Sequence, residues 1–168
     1  ELMNHGTDLT LKSTRGFTSI HCAARSGNIE LVEFLLNEYR KLDTNPHEPD
    51  NNGWTPLTYA GIFGQIEIIQ FLITNGAKVA DTDLHVILSH ENNKETLPET
   101  INFLLNTLPS ELGPNPFVIK GSNGNSILHT YYSRKDHKEL FACPKVFVML
   151  FLPNIILHKN LNGDSFLH

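Results

Sequence analysis

The 168-residue sequence predicts an all-α solenoid of stacked helix-turn-helix units, and three observations carry that prediction. A tetrapeptide recurs in degraded form: Thr18-Ser19-Ile20-His21, Thr55-Pro56-Leu57-Thr58, Thr82-Asp83-Leu84-His85, Ser126-Ile127-Leu128-His129 and Ser165-Phe166-Leu167-His168. Successive copies are 37, 27, 44 and 39 residues apart. Each copy opens on a hydroxyl residue and carries Leu or Ile third. A glycine precedes four of them by two positions, at Gly16, Gly53, Gly124 and Gly163. Behind the first two copies, apolar residues at Ile29, Val32 and Leu36, and at Ile66, Ile69 and Ile73, fall on one helical face.

The opening hydroxyl is expected to cap a short first helix, because its oxygen accepts an orphan N–H of the first turn. Gly27 and Gly64 should end those helices in the left-handed conformation, and the second helices then run from Ile29 and Ile66. Between repeats one and two, Tyr39 to Asp50 reads as an added loop containing Pro46 and Pro49. The third unit is expected to keep helices at 83–90 and 98–107, separated by the polar Glu91 to Glu95. Its preceding turn is too short for a projecting hairpin. A Pro-rich connection follows (Pro109, Pro114, Pro116), and Tyr131-Tyr132 in the fourth unit replaces the small pair Ala23-Ala24 of the first. That bulk predicts an irregular stack. No unit can bury its apolar face alone, so the units must stack.

These residues resemble the ankyrin repeat, whose pattern is T-P-L-H-x-A-A-x-x-G, an apolar second helix and a Gly-Ala-Asp turn. The match is closest over Gly16 to Leu36 and Gly53 to Val79, where Thr74-Asn75-Gly76-Ala77 corresponds to the turn. The resemblance implies one array: a partial repeat 1–12, repeats 13–49 and 50–79, a degenerate repeat 80–120, a repeat 121–158 and a partial repeat 159–168. Neither end reads as a polar cap, so the sequence is expected to be a window of a longer protein. The irregular repeats and the Asn- and Ile-rich composition resemble divergent ankyrin proteins of intracellular bacteria or large DNA viruses. That implies an effector acting in a host–pathogen interaction, placed in the cytoplasm or a host cytosol.

Composition narrows the function. A net charge of −5 argues against nucleic acid, which favours a basic excess. The longest apolar run, Val146 to Leu152, stops at Pro153, far short of the ~20 residues of a membrane span. Cys22 and Cys143 supply neither a disulfide framework nor a cysteine zinc cage, and suit a reducing compartment.

Chemistry is equally sparse. His21, His85, His129 and His168 lie one per repeat, where the resemblance implies a bond to backbone of an adjacent turn, so they do not converge on a metal. His85 and His90 are five apart, not the four that places two ligands on one helical face. Cys22 falls at a position expected to be small and buried. Glu30, Glu33 and Glu67 fall on outer helical faces. No phosphate-binding loop, nucleophile elbow or H-E-x-x-H appears. The sequence therefore predicts no enzyme, no cofactor, no metal site and no small-molecule substrate.

What remains is a surface. The resemblance implies partner binding by the hairpin tips and the exposed side of the first helices. By register these are Lys12, Thr14, Phe17, Arg25 and Ser26; Asn51, Trp54, Ile62 and Phe63; and Asn125, Ser133 and Arg134. Phe17, Trp54, Ile62 and Phe63 would form one apolar patch if all point outward. The expectation is a monomeric protein-interaction module with another protein as partner. Two alternatives stand beside it: a region presenting substrate to a catalytic domain elsewhere in a longer protein, and a structural or self-associating spacer.

Overall fold

The thirteenth and fiftieth residues do the same work 37 positions apart. Ser13 Oγ accepts from the N–H groups of Arg15 (3.3 Å) and Phe17 (3.0 Å); the Asp50 carboxylate accepts from those of Asn52 (2.8 Å) and Trp54 (2.9 Å). In each case the same residue's N–H also donates across the turn, Ser13 to the Phe17 carbonyl and Asp50 to that of Trp54. Two hairpin tips result, each closed by a short polar side chain bonding backbone ahead of it.

A computed structural model describes residues 8–90 and 95–107 of the chain. Among them are six helices and no strand: α1 (Ser19–Ser26), α2 (Ile29–Lys41), α3 (Pro56–Ile62), α4 (Ile66–Thr74), α5 (Asp81–Ser89) and α6 (Leu97–Thr107). The chain divides into two compact units, Glu1–Lys78 and Val79–His168. The fourth repeat and the last partial repeat, with Asn125, His129, Ser133, Arg134, Cys143 and His168, lie outside the described residues.

In the first unit the helices start where expected. Thr18 and Thr55 are the N-caps of α1 and α3. The second is a reciprocal pair: Thr55 Oγ1 accepts from the Thr58 N–H (3.3 Å), and Thr58 Oγ1 accepts from the Thr55 N–H (2.9 Å). Gly27 ends α1 at φ 79°. Asn28 caps α2 by accepting from the Leu31 N–H (2.9 Å). The helix runs longer than its apolar spacing suggested, to Lys41. Tyr39 is therefore not loop but the last buried side chain of α2, with its hydroxyl donating to the Leu9 carbonyl (3.1 Å).

The core of this unit is Ile20, Ala23 and Ala24 of α1, Val32, Leu35 and Leu36 of α2, Leu57 and Ala60 of α3, and Ile68, Ile69 and Leu72 of α4. α1 packs on α2 and α3, and α4 packs on α2 and α3. The alanines let first helices approach closely; the branched side chains fill the layer behind. Equivalent positions show what stacking does. Ile68 of α4 is 1% exposed, whereas Leu31, its counterpart on α2, is 42% exposed. Arg40 reaches from α2 to the Asn75 side chain at the end of α4 (2.5 Å), which fixes the flank of α2 turned to α4. At 100° per residue Leu31 and Phe34 lie on the opposite flank.

Gly16 is where the two hairpins touch. The Asn51 N–H donates to the Arg15 carbonyl (3.0 Å), and the Asn51 side chain donates to the Thr14 carbonyl (3.1 Å). Gly16 sits at φ 77°, and a Cβ there would lie 2.9 Å from the Asn51 backbone nitrogen. Only glycine fits both the conformation and the gap.

In the second unit α5 packs on α6 through buried Leu84, Ile87, Leu88, Leu97, Ile101 and Leu104. No hairpin projects before α5, since Ala77 to Ala80 leads into it directly. The register differs from the sequence reading. The N-cap of α5 is Ala80, not Thr82, and the N3 residue is Asp83, whose carboxylate accepts from the Ala80 N–H (2.7 Å). His85 therefore lies two residues past the position that His21 holds in α1. Alanine offers no acceptor, so half of the reciprocal cap is made.

Candidate functional site: an aromatic face on the first two repeats

Tyr59 is the hub of the face formed by the hairpins and by α1 and α3. Its ring meets Phe17 edge-on at 4.8 Å, His21 at 5.7 Å and Trp54 at 5.5 Å. Phe17 also lies 5.0 Å from His21. Edge-to-face geometry lets the positive ring edge meet a negative face. These rings come from two repeats, so the cluster is also an inter-repeat joint. Phe17, Trp54, Tyr59 and Phe63 are all half-buried and keep part of their surface open.

The Tyr59 hydroxyl donates to Asp50 Oδ2 (2.8 Å). Burial and that hydrogen bond push the phenol up to about 12. Burial alone would raise the Asp50 carboxyl. Hydrogen bonds from the Trp54 N–H, the Tyr59 hydroxyl and Asn52 outweigh it and hold Asp50 below the ordinary carboxylate range.

His21 links the hairpins from below. Its Nδ1 accepts from the Thr18 N–H (3.3 Å) and hydroxyl (2.9 Å), so the proton sits on Nε2, which donates to the Trp54 carbonyl (3.2 Å). Burial lowers its pKa and keeps the ring neutral. The expectation of a backbone-bonding histidine is met here. Thr58 holds the same N3 position in α3.

The sequence-predicted residues separate into three sets. Phe17, Trp54 and Phe63 share the face, with the Arg25 guanidinium stacked 4.8 Å over the Phe63 ring. Lys12 is exposed and pairs with Glu48 (2.6 Å), and Asn51 spends its side chain on the Thr14 carbonyl. Ile62 does not point outward: it is 2% exposed and belongs to the core. Apolar neighbours at the end of a two-turn helix point in different directions, and Phe63 takes the outer one. Cys22 is likewise the reverse of its expectation. It is exposed, because it occupies the outward α1 position matching Tyr59 on α3.

Asp50 and Tyr59 build this face, and the motif reading passes over both. Their signal lies in the register: Asp50 stands where the first repeat has Ser13, and Tyr59 where it has Cys22. Among the described residues no group of three His, Cys, Asp or Glu side chains could hold a metal, and no helix is long and apolar enough to cross a membrane.

The family model for ankyrin repeats, in three copies, matches residues 1–83. Residues 1–83 are ankyrin repeats. No curated protein matches the sequence. Among solved structures 380 chains match. One belongs to the complex of the Bd0816 predatory endopeptidase from Bdellovibrio bacteriovorus with immunity protein Bd3460. It has a TM-score of 0.63 and 21% identity, over 99% of this chain and 79% of that one. At that identity the likeness is one of fold: an all-α ankyrin solenoid. Ankyrin repeats serve generally as protein-interaction modules and are typically non-catalytic.

Proposed function

We propose that this chain is a non-catalytic protein-interaction module whose partner docks on the concave face made by the hairpins and first helices of repeats one and two. The observation that carries this reading is the half-open aromatic cluster of Phe17, Trp54, Tyr59 and Phe63, preorganised by edge contacts and by the Asp50 hydrogen bonds. Preorganised aromatic surface binds at low entropic cost, and Trp, Tyr and Arg are the usual anchors of an interface. The partner-binding residues are Phe17, Trp54 and Phe63 with Arg25; Tyr59 joins them, Ile62 leaves them, and Lys12 and Asn51 form the rim. Arg134 is assigned to the same surface by register alone. An effector role in a host cytosol rests on the compositional resemblance.

The hairpin is held by the Trp54 backbone, through its N–H to Asp50 and its carbonyl from His21, and alanine keeps both. Trp54→Ala should therefore lower affinity for a captured partner by about 2 kcal/mol or more. It should cost far less in folding stability. Equal capture by wild type and variant from a cell lysate would exclude Trp54 from the interface.

A further inference from the structure

Charge is segregated across the first unit. Among its described carboxylates, Glu30, Glu33 and Glu38 lie on α2 and Glu67 on α4, away from the aromatic cluster. Glu48 is tied to Lys12, and Asp50 is buried with both oxygens hydrogen-bonded. Asp8 and Asp43 lie in turns beyond the helix ends of repeat one. The aromatic cluster is flanked instead by Arg15 at the first hairpin tip and Arg25 at the end of α1. Both are exposed, and both charges act on the Tyr59 phenol. Among the described residues neither arginine is in an ion pair. Stacking on Phe63 occupies one flat side of the Arg25 guanidinium and leaves its in-plane N–H groups able to fork a carboxylate.

On a chain of net charge −5, two guanidiniums that enter no ion pair among the described residues thus stand beside a half-open aromatic surface. A neutral or basic segment docking there would desolvate them without compensation. We infer that this face takes an acidic segment of a partner protein, with an apolar or aromatic side chain seated on the Phe17–Trp54–Tyr59 cluster and flanking carboxylates on Arg15 and Arg25. The inference rests on the concave-face reading above and adds the chemistry of the partner.

Selecting a random-peptide display library against the whole 168-residue chain tests it. The expected result is enrichment of peptides of net negative charge around an apolar residue. Their affinity should fall about tenfold in the Arg15→Gln, Arg25→Gln double variant, fall in Trp54→Ala, and weaken as salt rises. Because both arginines are exposed, the double variant should melt with the wild type. Neutral or basic peptides lost only in Trp54→Ala would overturn the acidic partner and leave the concave face standing. Peptides indifferent to Trp54→Ala, or no enrichment at all, would overturn both. Displacement of the acidic peptides by a short single-stranded oligonucleotide at equal concentration would show a general anion site and overturn the assignment to a protein segment.

Discussion

The Tyr59 hydroxyl donates to Asp50 at 2.8 Å, joining the side of α3 to the base of its own hairpin. The same carboxylate closes the hairpin through the Trp54 N–H, so one buried acid sets the positions of both aromatic residues. The aromatic surface of repeat two is therefore built on a polar group that faces inward.

Tyr59 carries a pH signature of that bond. A phenol held at about 12 in the folded chain, against about 10 unfolded, stabilises fully below pH 10 and loses its contribution as pH rises towards 12. Ultraviolet titration of wild type against Tyr59→Phe isolates this phenol from the other three tyrosines. The difference spectrum should titrate near 12; a midpoint near 10 would mean no such bond in solution. The same substitution should cost about 1–2 kcal/mol, from leaving Asp50 short of a donor.

His21 predicts the opposite flank of the pH profile. Burial lowers its folded pKa below 6.5, and burial does the same to His47, whose Nε2 bonds the Asn75 carbonyl at 3.2 Å. Unfolded chains take up a proton as pH drops through 6.5 while folded ones do not, so stability should fall from pH 7 towards pH 5. Urea midpoints across that range measure it. In His21→Leu the slope should flatten, and an unchanged slope would remove His21 as its source.

Two glycines with nearly equal φ should respond differently to alanine. Gly53, at φ 80°, has open space where an added methyl would sit, so Gly53→Ala should cost only the left-handed strain, about 1–2 kcal/mol. Gly16→Ala adds a clash with the Asn51 backbone and should cost clearly more. Equal losses in thermal or urea melts would argue against the hairpin contact.

Ile62 and Phe63 separate core from surface within one helix end. Ile62→Ala should lose about 2–5 kcal/mol of stability, as a buried aliphatic does. Phe63→Ala should cost less stability and more affinity, because it removes the ring under Arg25. The reverse pattern would mean that the two residues have been assigned to the wrong sides.

Much of this fold is legible in the sequence, and the exceptions have physical causes. Thr18, Thr55 and Gly27 declare themselves because caps and left-handed stops depend on local chemistry alone. The third unit misleads because Thr82-Asp83-Leu84-His85 repeats the letters of the motif, while the helix start follows whichever side chain reaches back to a free N–H. There it is Asp83, bonding Ala80. Ile62 and Cys22 sit opposite to expectation because hydrophobicity gives a residue's preference, and the packing of a neighbouring helix decides its side. Asp50 and Tyr59 escape a motif search because their partnership spans a hairpin, visible only once the repeats are aligned and read for substitutions as well as matches.

Trp54 is the chain's single tryptophan, and it stands in the middle of the proposed interface. Its fluorescence therefore reports on that face and no other. Titrating the whole chain with a peptide selected against it should shift the emission to the blue and shield the indole from acrylamide, with a midpoint equal to the independently measured Kd. Saturable binding that leaves both the emission and the quenching unchanged would contradict docking on the aromatic face.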